Sequence, residues 1–216
     1  MYDLSFRTIL SEREKERERN FKSEYFRQRF IVSRSLMKAV LQEIIGETKA
    51  SRLSLRQKTR GRVFLHGRSD IFLSLSYSGT SLALTLGKQK IGSDIEMVRQ
   101  LDLRKVRACP LFDMKPESKK EPILHFLHQW TMLEAYAKLR DMNLYPIIHE
   151  RFYFNDTRFI SYLIDNQVIL SLAPDSPAGK SALLWIDPKD WFSASSLEKN
   201  TLGSSATPGG ETYARS

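Results

Sequence analysis

Between residues 24 and 45, apolar side chains return every three or four positions: Tyr25, Phe26, Phe30, Ile31, Leu36, Met37, Val40, Leu41 and Ile44. That period predicts one long amphipathic helix, stopped by Gly46. Ahead of it, SEREKERERN mixes both charge signs at helical spacing and predicts a short exposed helix, most of its charges solvated. After the long helix the period shortens. SRLSL, IFLSLS, SLALTL and IGSDIEMV predict strands, punctuated by the basic turn RQKTRGR and the turn GKQK. Residues 102–120 carry Pro110, Pro116, many charges and little periodicity, and are expected to form a linker with a single helical turn. Pro122 suits the first turn of a second long helix, over 122–141. ERFYF, RFISYLI, QVILSLA and SALLWI predict strands again, with Asp165-Asn166 as a hairpin turn.

Helix-then-strands thus occurs twice, over residues 1–99 and 100–192, and a Ser/Gly/Thr-rich tail at 193–216 is expected to be disordered. The order predicts an α+β fold of two similar halves, each a helix on an antiparallel sheet, in a pseudo-twofold arrangement. A crevice between such halves is the expected ligand site.

Composition narrows this picture. The chain has 216 residues, 41% hydrophobic and 27% charged, as a globular protein does. No apolar run is long enough for a membrane span, and the N-terminus lacks the apolar core of a signal peptide. Cys109 is the single cysteine, so an internal disulfide and a cysteine metal cluster are both excluded; a cytoplasmic location is expected. The net charge of +9 points to an anionic partner.

Against that basic background, IGSDIEMV sets Asp94 and Glu96 two residues apart. On a strand both point to one face and repel, so something positive belongs between them or one of them is protonated. WTMLEAYAK, at 130–138, carries Glu134 and Lys138 one helical turn apart. Alone that is a surface ion pair. Taken with Asp94 and Glu96, Glu134 completes three hard oxygen donors of the kind that suits Mg²⁺, with Lys138 free to face a phosphate. His125 and His128, at i and i+3, are expected to be half-exposed structural residues. Gly61, Gly79 and Gly87 read as turn residues and belong to no nucleotide-binding pattern.

The two acidic stretches, roughly 35 residues apart, resemble the paired signature of the 4′-phosphopantetheinyl transferases, G-[ILVC]-D-[ILV]-E and W-[ST]-x-K-E-[AS]-x-x-K. The resemblance spans about residues 11 to 190 and is to the monomeric, pseudo-dimeric type that activates surfactin synthetase. SLSYSGT at 74–80 sits where that family has S-H-S, and RGRVFL at 60–65 where it has G-K-P. The resemblance implies Mg²⁺-dependent transfer of the phosphopantetheine arm of coenzyme A to a serine of an acidic acyl or peptidyl carrier protein, releasing 3′,5′-ADP. It implies Asp94, Glu96 and Glu134 as metal ligands and Lys138 on a phosphate oxygen. It also implies Arg62, with Arg29 or Arg17, at the 3′-phosphate, and Tyr77 and Ser78 beside the coenzyme. Glu117 is the candidate to accept the serine proton.

The sequence departs from the signature at Leu133, where a lysine is expected, and at Tyr77, where a histidine is. Each change removes a cationic contact. Two alternatives therefore compete: a non-catalytic paralogue that binds coenzyme A or a carrier protein, and a metal-dependent nucleic-acid enzyme. The second needs a basic track with aromatic platforms, and the consecutive Phe152, Tyr153 and Phe154 cannot provide one because strand residues alternate faces.

Overall fold

The computed structural model describes residues 5–47, 49–58, 61–109, 121–149, 159–175 and 212–213. Two short helices, α1 (Ser5–Thr8) and α2 (Glu12–Arg19), precede the long α3 (Glu24–Ile45). The apolar period sets the limits of α3, and Gly46 ends it in the left-handed region at φ 71°. One face of α3 buries Met37 and Leu41 against Leu53, Leu55, Val63, Leu65 and Leu73. The last four lie on β1 (Leu55–Gln57), β2 (Val63–Leu65) and β3 (Phe72–Ser78). β1 pairs with β2, and β3 with β4 (Ser81–Gly87), both antiparallel.

The second assembly is built on β5 (Ile91–Met97), β6 (Ile160–Ile164) and β7 (Val168–Pro174). β5 pairs with β7 from Ile91↔Pro174 to Met97↔Val168, and β7 with β6. Residues 165–167 connect β6 to β7; Asp165 and Asn166 are both at positive φ, as in a type I′ turn, and Gln167 N–H donates to the Ile164 carbonyl at 2.9 Å. β5, counted by position with residues 1–99, therefore belongs by hydrogen bonding to the sheet of the later strands. α4 (Leu103–Ala108) forms the single short helix expected after β5. α5 (Pro122–Arg140) lies across β5 and β7, and α6 (Leu144–His149), which the sequence reading missed, packs beside it through Ile147. The fold is α+β.

Most of the charges of α2 are solvated, as its spacing predicts, but Glu14 and Glu18 are buried, in ion pairs with Lys38 and Arg7. Their partners come from other elements, and helical spacing cannot reveal that. Within the tail, Thr212–Tyr213 forms β8 and pairs with β6, whose outer edge otherwise offers unpaired backbone groups. The strands expected at ERFYF and SALLWI lie outside the described residues.

Two devices hold α5 and β3 to β5. Gly92 faces α5 so closely that a Cβ there would overlap the carbonyl oxygen of Ala135 and lie 2.6 Å from the Leu139 nitrogen. On the free edge of β5, a serine ladder replaces backbone pairing. Ser74, Ser76 and Ser78 of β3 accept hydrogen bonds from the backbone N–H groups of Ser93, Ile95 and Met97 at 2.8, 3.4 and 2.9 Å.

Because the atoms opposing Gly92 are backbone atoms, they cannot turn aside as a side chain would. Gly92→Ala is expected to destabilise the protein by about 3 kcal/mol, the upper part of the range for overpacking. Urea unfolding measures it; a loss below about 0.5 kcal/mol would mean that α5 slides freely on the sheet.

Candidate active site

Gly92, Asp94 and Glu96 share one face of β5, the face turned to α5. The approach permitted by Gly92 brings the next residue on that face to the helix. Asp94 is 2% exposed. Its Oδ1 accepts hydrogen bonds from Lys138 Nζ and Ser76 Oγ, both at 2.6 Å. Its Oδ2 is buried with no hydrogen-bond partner. Glu96 Oε2 accepts from Ser78 Oγ at 2.6 Å and from the guanidinium of Arg99. The two carboxylates thus share a face, as their spacing required, and each has its own cation: Lys138 for Asp94, Arg99 for Glu96.

Glu134 is the third acid. Burial pushes its carboxyl up to about 7, and the charge and hydrogen bond of Asp94 add to the shift, with Glu96 contributing further. Lys138 pulls the other way. Asp94 and Glu134 therefore touch, while Glu96 turns to Ser78 and Arg99. Among the described residues, no three His, Cys, Asp or Glu side chains form one metal-ligating group. The Asp94–Glu134 pair nevertheless fits a divalent cation. Asp94 is buried and Glu134 partly so, and burial first, then the Asp94 charge, disfavours a second ionised carboxyl there, which added positive charge would offset. Mg²⁺ is commonly held by one or two carboxylates, the rest of its octahedron being water and substrate phosphate.

Glu134 and Lys138 line a cavity of about 550 Å³. Arg17 of α2, Arg29 and Arg34 of α3, Arg62 before β2 and Tyr77 of β3 line it too. Five sequence candidates for the coenzyme site are thus gathered at one cavity: Arg17, Arg29, Arg62, Tyr77 and Lys138. Ser78 is not among the lining residues. Its hydroxyl is engaged by Glu96 and by the Met97 N–H, so it acts as a rung of the ladder. Glu117 lies outside the described residues.

Stacking positions the cations. The Arg29 guanidinium lies 4.4 Å from the Tyr77 ring centre and 5.1 Å from that of Phe26. Tyr77 is hydrogen-bonded to Ser33, and burial pushes its hydroxyl above the usual phenol value. Its ring faces the Arg29 guanidinium and supplies no charge of its own.

Arg34 is the residue that sequence reasoning missed. It is 4% exposed, yet its Nη1 has no hydrogen-bond partner. Burial pushes its guanidinium below the usual value; Glu14 opposes that shift and the charge of Arg17 adds to it. A buried cation with an unused donor at a cavity invites an anion. A faint signal exists in the sequence: Arg34 and Lys38 are four apart on the side of the helix that also carries the apolar Phe30, Ile31 and Leu41. His125 and His128 are half-buried, and burial with the neighbouring His125 pushes His128 down to about 4. Neither lines the cavity.

Leu133 is fully buried and packs with Ala135, Tyr136, Leu139 and Ile147. It has become core rather than cavity wall. Leu133→Lys is expected to cost several kcal/mol, as an unpaired buried charge does, with a thermal melt as the readout. A melting temperature unchanged from wild type would mean that position 133 reaches solvent.

Glu134 sets a pH dependence. Its ordinary value is 4.5 and its folded value about 7. Between these the folded protein keeps a proton that the unfolded chain has lost, so this group makes stability fall as pH rises through the window and level off above it. Glu134→Gln stays neutral and is expected to gain on the wild type between about pH 5 and about pH 8 in urea unfolding. A wild-type-to-variant difference that is flat with pH would show that Glu134 titrates normally.

No protein-family model matches the chain, and no curated protein matches it significantly.

Proposed function

We propose that the chain transfers the 4′-phosphopantetheine arm of coenzyme A to a serine of an acyl or peptidyl carrier protein, with Mg²⁺, and releases 3′,5′-ADP. The observation that carries this reading is the meeting of Glu134 and Lys138, from one signature, with four arginines at one cavity. Asp94, from the other signature, stands against both Glu134 and Lys138. Two helix-on-sheet assemblies, α3 with β1–β4 and α5 with β5–β7, support a pseudo-twofold arrangement. Both contribute to the cavity lining.

The substrate is anionic along much of its length, and the residues suit its parts. Arg17, Arg29, Arg34 and Arg62 offer guanidinium donors to the phosphate that does not react. Asp94 and Glu134 would hold Mg²⁺, with Glu96 next to them on the strand. When bound, the metal polarises the pyrophosphate and neutralises charge on the leaving phosphate. Lys138 is one-third exposed and held by a single ion pair, so its ammonium is within reach of both Asp94 and a ligand oxygen. Glu134, once ionised, and Glu117 are the candidates to accept the carrier serine's proton. The net charge of +9 suits acidic carrier proteins.

The departures at Tyr77 and Leu133 favour a second reading, a paralogue that binds coenzyme A without transferring its arm. Mass spectrometry separates the two. An apo carrier protein incubated with coenzyme A, Mg²⁺ and this chain is expected to gain one phosphopantetheine. Asp94→Ala and Glu134→Ala are expected to abolish the gain without unfolding the protein. Arg62→Ala is expected to raise KM for coenzyme A about tenfold while leaving dephospho-coenzyme A unaffected, since the 3′-phosphate does not change during reaction. Coenzyme binding without any mass gain, across several carrier proteins, would leave the non-catalytic reading standing.

A further inference from the structure

α2 and α3 face each other with four charged side chains. Glu14 and Arg17 are one turn apart on α2; Arg34 and Lys38 are one turn apart on α3. Glu14 meets Lys38 at 2.5 Å, with both side chains essentially out of solvent. The same oxygen, Oε2, also accepts from Ser11 N at 2.9 Å and Ser11 Oγ at 2.8 Å, which fixes the first turn of α2. Lys38 Nζ donates in addition to the Ile9 carbonyl at 3.3 Å, and Ser35 Oγ to that of Phe6 at 2.8 Å. Residues 6–14 are thereby pinned to α3 by polar contacts, with Phe6 and Leu10 packed on Ile31 beneath them.

The other two charges are cations. Arg17 and Arg34 each lie 5.4 Å from the ring centre of Phe30, and burial first, with the charge of Arg17 adding to it, pushes the Arg34 guanidinium below its usual value. Repulsion of this kind drives two helices apart unless something compels the contact or compensates the charge. Glu14 compels it through Lys38, and its carboxylate also favours the charged form of Arg34. Two atoms of the cluster remain buried without a hydrogen-bond partner, Arg34 Nη1 and Glu14 Oε1.

We infer that Glu14 is a positioning residue for phosphate recognition: its buried pair with Lys38 holds Arg17 of α2 against Arg34 of α3, so that the two guanidiniums form one clamp for a phosphate monoester. Without the pair, Arg17 swings away with its helix and the clamp is halved. The inference deepens the proposed function by naming what assembles its phosphate end. It is nonetheless read from binding alone.

The test is a double-mutant cycle on affinity for 3′,5′-ADP, measured by isothermal titration calorimetry with no carrier protein present. Arg17→Ala and Glu14→Gln are each expected to weaken binding by about tenfold or more, the worth of a charge-assisted hydrogen bond. The double variant is expected to bind no more weakly than the worse single, because Glu14 acts only through Arg17 and Arg34. If Glu14→Gln does not fold, Lys38→Met removes the other half of the pair and takes its place in the cycle. Adenosine 5′-monophosphate, which lacks the 3′-phosphate, is expected to be indifferent to all these variants. Independent effects that multiply, or wild-type affinity in Glu14→Gln, would overturn the inference. Phosphopantetheine transfer by wild type with a multiplicative cycle defeats the inference alone; a coupled cycle with no transfer upholds the clamp and defeats the catalytic reading.

Discussion

Burying a carboxylate costs several kcal/mol, more than a single ion pair returns. Asp94 is the place where the chain meets that cost, and much of the structure is arranged around it. Ser76 and Lys138 satisfy one of its oxygens from two different elements, β3 and α5. The second oxygen is left over, and Glu134 answers by holding a proton that a carboxyl in water would lose. The contacts with Lys138 and Glu134 need α5 almost on the backbone of β5, which the missing side chain of Gly92 allows. A packing requirement and a chemical one therefore fall on neighbouring residues of the same strand face. Loosening the helix to relieve the first removes the cation from the second.

The serines of β3 tie the same site to the rest of the fold. A hydroxyl both donates and accepts, so each rung can bind a backbone N–H of β5 and offer its proton elsewhere. Ser76 and Ser78 spend that proton on Asp94 and Glu96. The ladder thus closes the open edge of β5 and fixes the carboxylates in one set of bonds.

What the sequence revealed follows from the range of the forces involved. The limits of α3, the Asp165-Asn166 turn and the common face of Asp94 and Glu96 are local matters, decided by period and turn chemistry within a few residues. The gathering of Arg17, Arg29, Arg62, Tyr77 and Lys138 was reached through likeness to a family pattern, not through period. The buried charges of α2 and α3 escaped, because a Glu-Arg-Lys helix reads the same whether its charges meet water or a partner on another helix. Glu14 and Lys38 are 24 positions apart, and only packing brings them together. Likewise Leu133 reads as a lost phosphate contact in the pattern and as core in the structure, since burial depends on what α6 places above it.

The charge distribution at the cavity has one more consequence. Arginines held by aromatic faces keep their N–H edges free, whereas arginines held by carboxylates do not. Arg29 stacks on Tyr77 and Phe26, and Arg17 and Arg34 flank Phe30, so three of the cavity's guanidiniums are fixed through their faces. Lys138, by contrast, is fixed through its charge, to Asp94. The α3 side accordingly presents guanidiniums already held in place by aromatic rings. The α5 side is bound up in an ion pair that must be partly exchanged when a ligand or metal arrives. Rigid recognition at one end and exchangeable charge at the other is the division expected where one end of a substrate is held and the other reacts.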